Sequence, residues 1–325
     1  MKINKFYMGL IIAAGLLASC KNNDAPFPDF AYSNVYFATQ NPVRTVVLGE
    51  DLIVDNTLDN QRKVSIKATM GGVYENKNNV SIDFRVDETM LNNLYFGGGG
   101  AKITAMPSTY YQLASNKITI PSGSIIGGVD VQLTDAFFAD PKALGRNYVI
   151  PLLMTGVTGV DSILKSKSRV IYAIKYVNPW HANYLRRGLD QITPATGTPT
   201  SVLRHALYVE NDQVVSTTTA SLTSVTLPIT IRNTAGNNVA VTLVLNFADN
   251  GTCTVSGNSP DFEIAGTGKF VSKGEKNSLG GSDRSAIYLD YTVNYKVQNI
   301  RYATKDTLVV RDRGIKAEYF ESQIR

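Results

Sequence analysis

Residues 239–254 read VAVTLVLNFADNGTCT, and this stretch decides the fold class. Large apolar side chains occupy every second position from Val239 to Phe247, with smaller or polar side chains between them. A period of two is typical of a β-strand with one face buried in a core, because successive side chains point to opposite faces. The stretch therefore predicts a long strand in a β-sheet.

The dipeptide Asn250-Gly251 follows this strand directly. A two-residue type I′ turn needs positive φ at both central residues, and Asn followed by Gly accepts that geometry at the lowest cost. We therefore predict a hairpin in which Phe247 faces Thr254. In that register Cys253 lies on the face opposite to Phe247.

The same alternation recurs along the chain, whereas long amphipathic helical periodicity is missing, so we predict an all-β protein. The strands of the first half are short, which favours an immunoglobulin-like sandwich of two sheets. Those of the second half are longer and joined by tight turns, which favours an antiparallel barrel or half-barrel, with a second sandwich as the alternative. The clearest runs lie at 64–70, 82–86, 129–133 and 287–295.

The break between the two halves is placed at Asn178-Pro179, because proline lacks the N–H that a strand needs and restricts the residue before it. We therefore expect a first domain over residues 31–177 and a second over residues 178–325.

The N-terminus has the form of a lipoprotein signal. Two lysines precede an apolar run over residues 8–18, and small residues lead to Cys20. This pattern predicts a signal peptide over residues 1–19, lipidation of the Cys20 thiol and a tether over residues 20–30. The acyl chains would then bind the chain to a membrane.

Charge and motifs exclude several classes of function. The net charge of +5 is spread along the chain without a basic cluster, so we expect no nucleic-acid partner. The chain has two histidines, and neither a zinc motif nor a nucleotide-binding loop, so we expect no metal, no cofactor and no catalytic residues. His205 alternates in phase with Leu203 and Leu207, and we expect it inside the second domain.

The aromatic residues are the best candidates for ligand contact. The chain has 17 tyrosines and one tryptophan, whose flat faces can stack on sugar rings. Tyr110 and Tyr111 are neighbours in an extended segment, so one of them should face a cleft or solvent. Trp180 lies beside the expected junction between the domains, where ligand clefts are common. We therefore predict Tyr110, Tyr111 and Trp180 as ligand-binding residues.

The chain resembles two-domain surface lipoproteins of Bacteroidetes that are encoded with starch-utilisation-type glycan uptake systems. The first half resembles their immunoglobulin-like N-terminal domain of unknown function, and the second half resembles their lipocalin-like C-terminal domain. The segments that carry the resemblance are MPSTYYQL at 106–113, NKITIPSG at 116–123, YVIPL at 148–152, NPW at 178–180, GTGKF at 266–270, IYLDY at 287–291 and DTLVVRDRG at 306–314.

The resemblance implies a non-catalytic glycan-binding protein that is lipid-anchored to the outer membrane and exposed at the cell surface. Its implied partners are an oligosaccharide or glycan and an outer-membrane transporter complex. Three alternatives stay open on the sequence alone. They are a structural or adhesive subunit, a small-molecule carrier with Tyr291, Tyr295 and His205 facing a barrel lumen, and a glycoside hydrolase.

Overall fold

The computed structural model describes residues 30–325, so Cys20 and the segment before it lie outside the described residues. Strands make up 56% of the structure and helices 9%, which confirms the prediction of an all-β chain. No helix of the described part has the length and apolar character needed to cross a membrane. The helical elements are α1 (Thr57–Asn60), α2 (Asp135–Ala139) and short 3₁₀ turns at Glu88–Leu91, Ser108–Tyr110, Pro141–Leu144, Lys165–Lys167 and Val209–Asn211.

Twelve strands form the first sheet. They are β1 (Asn34–Tyr36), β2 (Pro42–Val47), β3 (Lys63–Gly71), β4 (Val80–Val86), β6 (Thr104–Ala105), β7 (Tyr111–Leu113), β8 (Lys117–Ile120), β9 (Ile126–Leu133), β10 (Tyr148–Thr158), β11 (Ser162–Ile163), β12 (Arg169–Val177) and β23 (Glu318–Tyr319). Their order is β11-β1-β3-β9-β8-β4-β10-β12-β2-β23, with β6 beside β10 and β7 beside β9. β5 (Leu94–Phe96) pairs separately with β24 (Ser322–Ile324).

This sheet folds over itself at a corner between β8 and β9 and so becomes a sandwich. Only Thr119 and Gly128 pair across that corner. The preceding Gly127 makes the close approach possible, because a Cβ there would lie 2.0 Å from the Thr119 carbonyl oxygen. The alternating residues of β3 fill the core, with Ile66 fully buried. The predicted sandwich is confirmed.

Ten strands form the second sheet. They are β13 (Asn183–Thr193), β14 (Thr200–Arg204), β15 (Gln213–Ser216), β16 (Thr218–Thr219), β17 (Ser224–Arg232), β18 (Asn238–Phe247), β19 (Thr252–Gly257), β20 (Phe262–Leu279), β21 (Ser282–Tyr295) and β22 (Ile300–Asp312). Their order is β14-β13-β22-β21-β20-β19-β18-β17-β16, with β15 also beside β13. Strands β16 to β22 form an antiparallel meander, and β13 pairs with β22, the last strand of that meander.

The second sheet curls around an apolar core on its concave face. β15 pairs with β13 and the adjoining β16 pairs with β17, so one short segment touches both sides of the curled sheet. The segment changes partner at Thr217, and the described strands form no closed barrel. Of the three forms expected, the closed barrel is therefore not observed.

The hairpin between β18 and β19 differs from the prediction by one residue. Phe247 pairs with Cys253 rather than with Thr254. Gly251 has φ +80°, but Asn250 does not adopt positive φ, so the turn has three residues rather than two. Because a shift of one residue moves side chains to the other face, Cys253 lies in the core with Phe247.

The end of the described chain returns to the first domain. β23 pairs with β2, and β24 pairs with β5. The side chain of Phe320 is buried between these strands, with its ring centroid 5.0 Å from that of Phe96. The expectation that residues 178–325 all belong to the second domain therefore does not hold for residues 318–324.

Candidate functional site

A cleft of about 960 Å³ lies between the two domains. β2 and β12 of the first sheet form its floor. One wall is the loop over residues 51–56, and the other is the segment over residues 311–319, where the chain leaves the second sheet. β12 pairs along one edge of β2, but β23 covers only Pro42 and Val43 on the other edge, so the cleft lies beside the part of that edge that has no partner strand. A concave surface between domains is the usual setting of a ligand site.

Two tyrosines lie on the same side of this cleft. Tyr319 pairs with Pro42 across the edge of the sheet, and 63% of its surface is exposed. Tyr172 is half-buried on the neighbouring strand β12. Burial raises the pKa of the Tyr172 hydroxyl, so it remains a hydrogen-bond donor at neutral pH. The ring of Tyr172 packs against the core of the first domain, so the cleft offers the exposed face of Tyr319 together with a phenol donor.

The loop wall combines apolar side chains with a fixed backbone. Ile53 and Val54 are 79% and 61% exposed, which is unusual for large aliphatic residues in a structured loop. The Asp51 carboxylate holds the loop by accepting hydrogen bonds from both of their N–H groups, at 2.8 and 3.2 Å. This local bonding keeps the apolar side chains directed away from the core.

Thr45 lies at the floor of the cleft with its hydroxyl below the accessible surface. The residue is 4% exposed, and its hydroxyl has no hydrogen-bond partner among residues 30–325. A buried hydroxyl without a partner costs free energy, so Thr45 is a locally unfavourable position in the floor.

The charges around the cleft are nearly balanced. Arg44 pairs with the buried Asp59, whose carboxylate also accepts from the Val47 N–H at 2.8 Å. Glu318 pairs with Lys175 at 2.6 Å. The basic residues of the lining are Arg44, Arg311, Arg313 and Lys316, and the acidic ones are Asp51, Asp55, Asp59, Asp312 and Glu318. The cleft therefore suits an uncharged ligand rather than a strongly charged one.

Arg313 fixes the position of one wall relative to the floor. Only 5% of the residue is exposed, and its guanidinium donates to the carbonyls of Leu48 and Glu50, both at 2.9 Å, in the first domain. It also donates to the carbonyls of Asn178 at 2.7 Å and His181 at 2.8 Å, at the start of the second domain. One side chain thus joins the two domains.

A second cavity, of about 200 Å³, lies on the concave face of the second sheet. Its polar side is a buried network centred on Asp306, whose carboxylate accepts from Arg186 at 2.9 Å, Tyr291 at 2.8 Å and Arg204 at 2.6 Å. Arg204 also bonds to Asp190 at 2.6 and 2.9 Å. The side chain of Asp306 is fully buried, and that of Arg186 is 5% exposed.

Gly188 makes room for this network. It lies between Arg186 and Asp190 on β13, and a Cβ there would lie 2.5 Å from Asp306 Oδ1 and 3.1 Å from Arg204 Nη2. Only glycine therefore allows the carboxylate and the guanidinium to meet at that point.

The three residues predicted to bind a ligand lie elsewhere. Tyr110 donates to Asp140 at 3.1 Å and packs, with Tyr111, against the core of the first domain. Trp180 stacks on Phe247, with ring centroids 4.0 Å apart, and packs against the core of the second domain. None of the three lines the cleft. As ligand residues they stay predictions, whereas the observed contacts are packing contacts.

The expectation that His205 faces the interior is wrong. Strand β14 ends at Arg204, so the alternation that places His205 in phase with Leu203 and Leu207 continues beyond the strand, and all three side chains are exposed. The cavity beside Tyr291 is also smaller than the ~300 Å³ from which ligand pockets of ordinary size begin. Within the described range, no group of three or more His, Cys, Asp or Glu could hold a metal ion.

Sequence reasoning missed Tyr172 and Tyr319 because nothing local distinguishes them from other strand tyrosines. The buried network did leave a signal. Arg186 and Asp190 lie two and six positions after Tyr184. Even spacings in a strand place side chains on the same face, so these charged residues share the apolar face of Tyr184. Charges at such positions are almost always paired.

Comparisons with known proteins agree with the two-part organisation. A family model described as an N-terminal domain matches residues 31–161, and the model of the domain of unknown function DUF5627 matches residues 179–314. Neither description names a catalytic activity. No curated protein matches the chain.

Several solved structures are similar. One, a protein of unknown function from Bacteroides ovatus, is 50% identical with a TM-score of 0.85, and the match covers 91% of this chain and all of that one. A second protein of unknown function from Bacteroides ovatus is 16% identical, with a TM-score of 0.44 and coverage of 89% and 99%. An auxiliary nutrient binding protein from Bacteroides thetaiotaomicron is 14% identical, with a TM-score of 0.39 and coverage of 82% and 90%.

The last two similarities are too distant to support an argument about fold or ligand. The first similarity is sufficient by itself to assign the family, because half of the aligned residues are identical over almost the whole chain. The chain therefore belongs to the family of two-domain Bacteroidetes proteins represented by that Bacteroides ovatus protein.

Proposed function

We propose that the protein is a non-catalytic accessory protein that binds glycans for an uptake system at the bacterial cell surface. The observation that carries this proposal is the cleft between the domains, with its exposed Tyr319. The lipoprotein signal ending at Cys20 and the resemblance to surface lipoproteins of glycan uptake systems support the location.

The chemistry of the cleft suits a sugar chain. The C–H faces of a sugar ring pack against aromatic and aliphatic surfaces, which the exposed Tyr319 and Ile53 supply. Sugar hydroxyls bond to carboxylates, amides and hydroxyls, which Asp55, Asn56 and Tyr172 supply in the lining. The nearly balanced charge requires no charged group on the glycan, and a volume of about 960 Å³ admits several sugar rings.

Tyr319→Ala is expected to weaken glycan binding by about tenfold, the loss that corresponds to about 1.4 kcal/mol of stacking free energy. A glycan array probed with the soluble chain from Lys21 onward identifies the ligand. Calorimetry with that glycan then measures the dissociation constants of the wild type and the variant.

Tyr208→Ala is the matched control, because Tyr208 is 59% exposed but does not line the cleft. It should bind the glycan as tightly as the wild type. If the wild type binds no array glycan, the glycan-binding proposal is wrong. If Tyr319→Ala binds a glycan as tightly as the wild type, the ligand does not occupy this cleft.

The membrane anchor has a separate test. In the native protein we expect the chain to begin at Cys20 with acyl chains on its thiol and amino group, because the residues before it form a signal peptide. Mass spectrometry of the protein purified from its own cells measures this directly. An intact Met1 or an unmodified Cys20 would contradict the anchor but would leave the cleft as a glycan site.

A further inference from the structure

The cavity on the concave face of the second sheet has features that its role in the fold does not explain. We propose that it binds a short aliphatic carboxylate, with the carboxylate group at Arg204 and Arg232 and the carbon chain against the apolar wall. This proposal does not depend on glycan binding, since the cavity and the cleft share no lining residue.

An unused donor lies behind the polar end of the cavity. Arg204 lines the cavity, but its Nη1 lies below the accessible surface without a hydrogen-bond partner in the described part of the chain, so a ligand reaches it only when the guanidinium turns. The other guanidinium nitrogens bond to Asp190 and Asp306. A buried N–H group of an arginine without an acceptor is costly, and a carboxylate oxygen is the acceptor that pairs with it most strongly.

The charge of the lining favours an anion. Arg186 and Arg204 are balanced by Asp190 in the lining and by Asp306 behind it, which leaves the positive charge of Arg232 in excess. Arg232 is exposed at the end of β17. Its N–H donates to the Tyr302 hydroxyl at 3.3 Å, and that hydroxyl donates back to its carbonyl, so the backbone at this point is held in place.

The rest of the cavity is apolar and small. Its aliphatic lining residues are Ile192, Val202, Ile229, Ile231 and Val293. A cavity of about 150 Å³ holds benzene, so one of about 200 Å³ holds roughly eight non-hydrogen atoms. A carboxylate with three to six carbons meets both the size and the apolar character, whereas a sugar ring with all its hydroxyls meets neither.

A purely structural role accounts for part of this arrangement. Asp306 is needed to neutralise the buried Arg186, and that pair requires no ligand. It does not explain why Arg204 keeps a free N–H group in the wall of a largely apolar cavity or why Arg232 lines the same cavity. A bound carboxylate explains both.

The test uses butyrate and its neutral analogue butyramide, which have nearly the same shape. The soluble chain from Lys21 onward is labelled with ¹⁵N-arginine, and the Nε–H resonances are followed by NMR during titration. We expect butyrate to shift the Arg204 resonance saturably, with a dissociation constant between about 10 μM and 10 mM. We expect butyramide to leave the resonance unchanged.

Two charge variants locate the site. Arg232→Gln should weaken butyrate binding about fivefold or more, because it removes the excess positive charge. Arg301→Gln, which removes the same charge from an exposed residue that does not line the cavity, should leave butyrate binding unchanged. Tyr319→Ala in the cleft should also leave it unchanged.

Three outcomes would overturn the proposal. The first is the absence of any saturable shift of the Arg204 resonance up to about 50 mM butyrate, propionate or hexanoate, which is far above the expected range. The second is an equal response to butyrate and butyramide, because the carboxylate would then not be recognised. The third is an equal effect of Arg232→Gln and Arg301→Gln on the dissociation constant for butyrate. Binding would then depend on the net charge of the protein rather than on Arg232 in the cavity.

Discussion

Asp306→Ala is expected to lower the free energy of unfolding by about 3–5 kcal/mol. The carboxylate is fully buried and accepts hydrogen bonds from Arg186, Arg204 and Tyr291. Without it, the Arg186 guanidinium stays buried and uncompensated, and removal of one partner of a buried ion pair is far more costly than the pair's net contribution. Urea unfolding at neutral pH, followed by circular dichroism, measures the loss.

Asp290→Ala provides the comparison on the neighbouring strand β21. Asp290 pairs with Lys305 at 3.4 Å, but both side chains are largely exposed, and such pairs contribute about 0–1 kcal/mol. The two variants remove the same chemical group, so the difference between them reports burial. A loss below about 1 kcal/mol for Asp306→Ala would show that water reaches the network in solution.

Arg313→Met is expected to destabilise the protein by at least about 3 kcal/mol, because hydrogen bonds from charged donors contribute about 1.5–3 kcal/mol each and four are lost. The methionine fills part of the same volume but leaves the carbonyls of Leu48, Glu50, Asn178 and His181 without this donor. Because these carbonyls belong to both domains, the variant should also uncouple their unfolding. We then expect calorimetry to show two heat-absorption peaks for the variant and one for the wild type.

Arg301→Met, at an exposed position of β22, is the control and should change the stability by less than about 0.5 kcal/mol. A single peak for Arg313→Met at the wild-type temperature would mean that water replaces the guanidinium at the four carbonyls. The same result would contradict the conclusion that Arg313 fixes the wall of the cleft.

The sequence predicted the elements of the fold better than their connections. Alternation at 64–70 and 239–247 located strands β3 and β18 because one face of each is buried in a continuous core. The register at Asn250 was wrong because several turns accept Asn-Gly, and the choice between them depends on the partner strand. The return of residues 318–324 was missed because a pairing of β23 with β2 spans almost the whole chain and leaves no local pattern.

The site was less predictable than the fold, for a related reason. A cleft does lie at the junction between the domains, but its lining comes from five separate stretches, namely residues 42–47, 51–59, 172, 183 and 311–319. Trp180 is close to the junction in sequence, yet its ring is used to cover Phe247. Tyr172 and Tyr319 are 147 positions apart, and only the folded sheet brings them to the same strand edge.

The return of residues 318–324 sets the order in which the molecule can be completed during synthesis. Translation delivers the first sandwich without β23, β24 and the ring of Phe320, and these arrive only after the whole second sheet has been made. Until then Phe96 lacks the aromatic ring that covers it, and the edge of β2 has no partner strand. The nascent chain therefore carries an unpaired strand edge, prone to aggregation, until residues 318–324 have been made and have paired with β2 and β5.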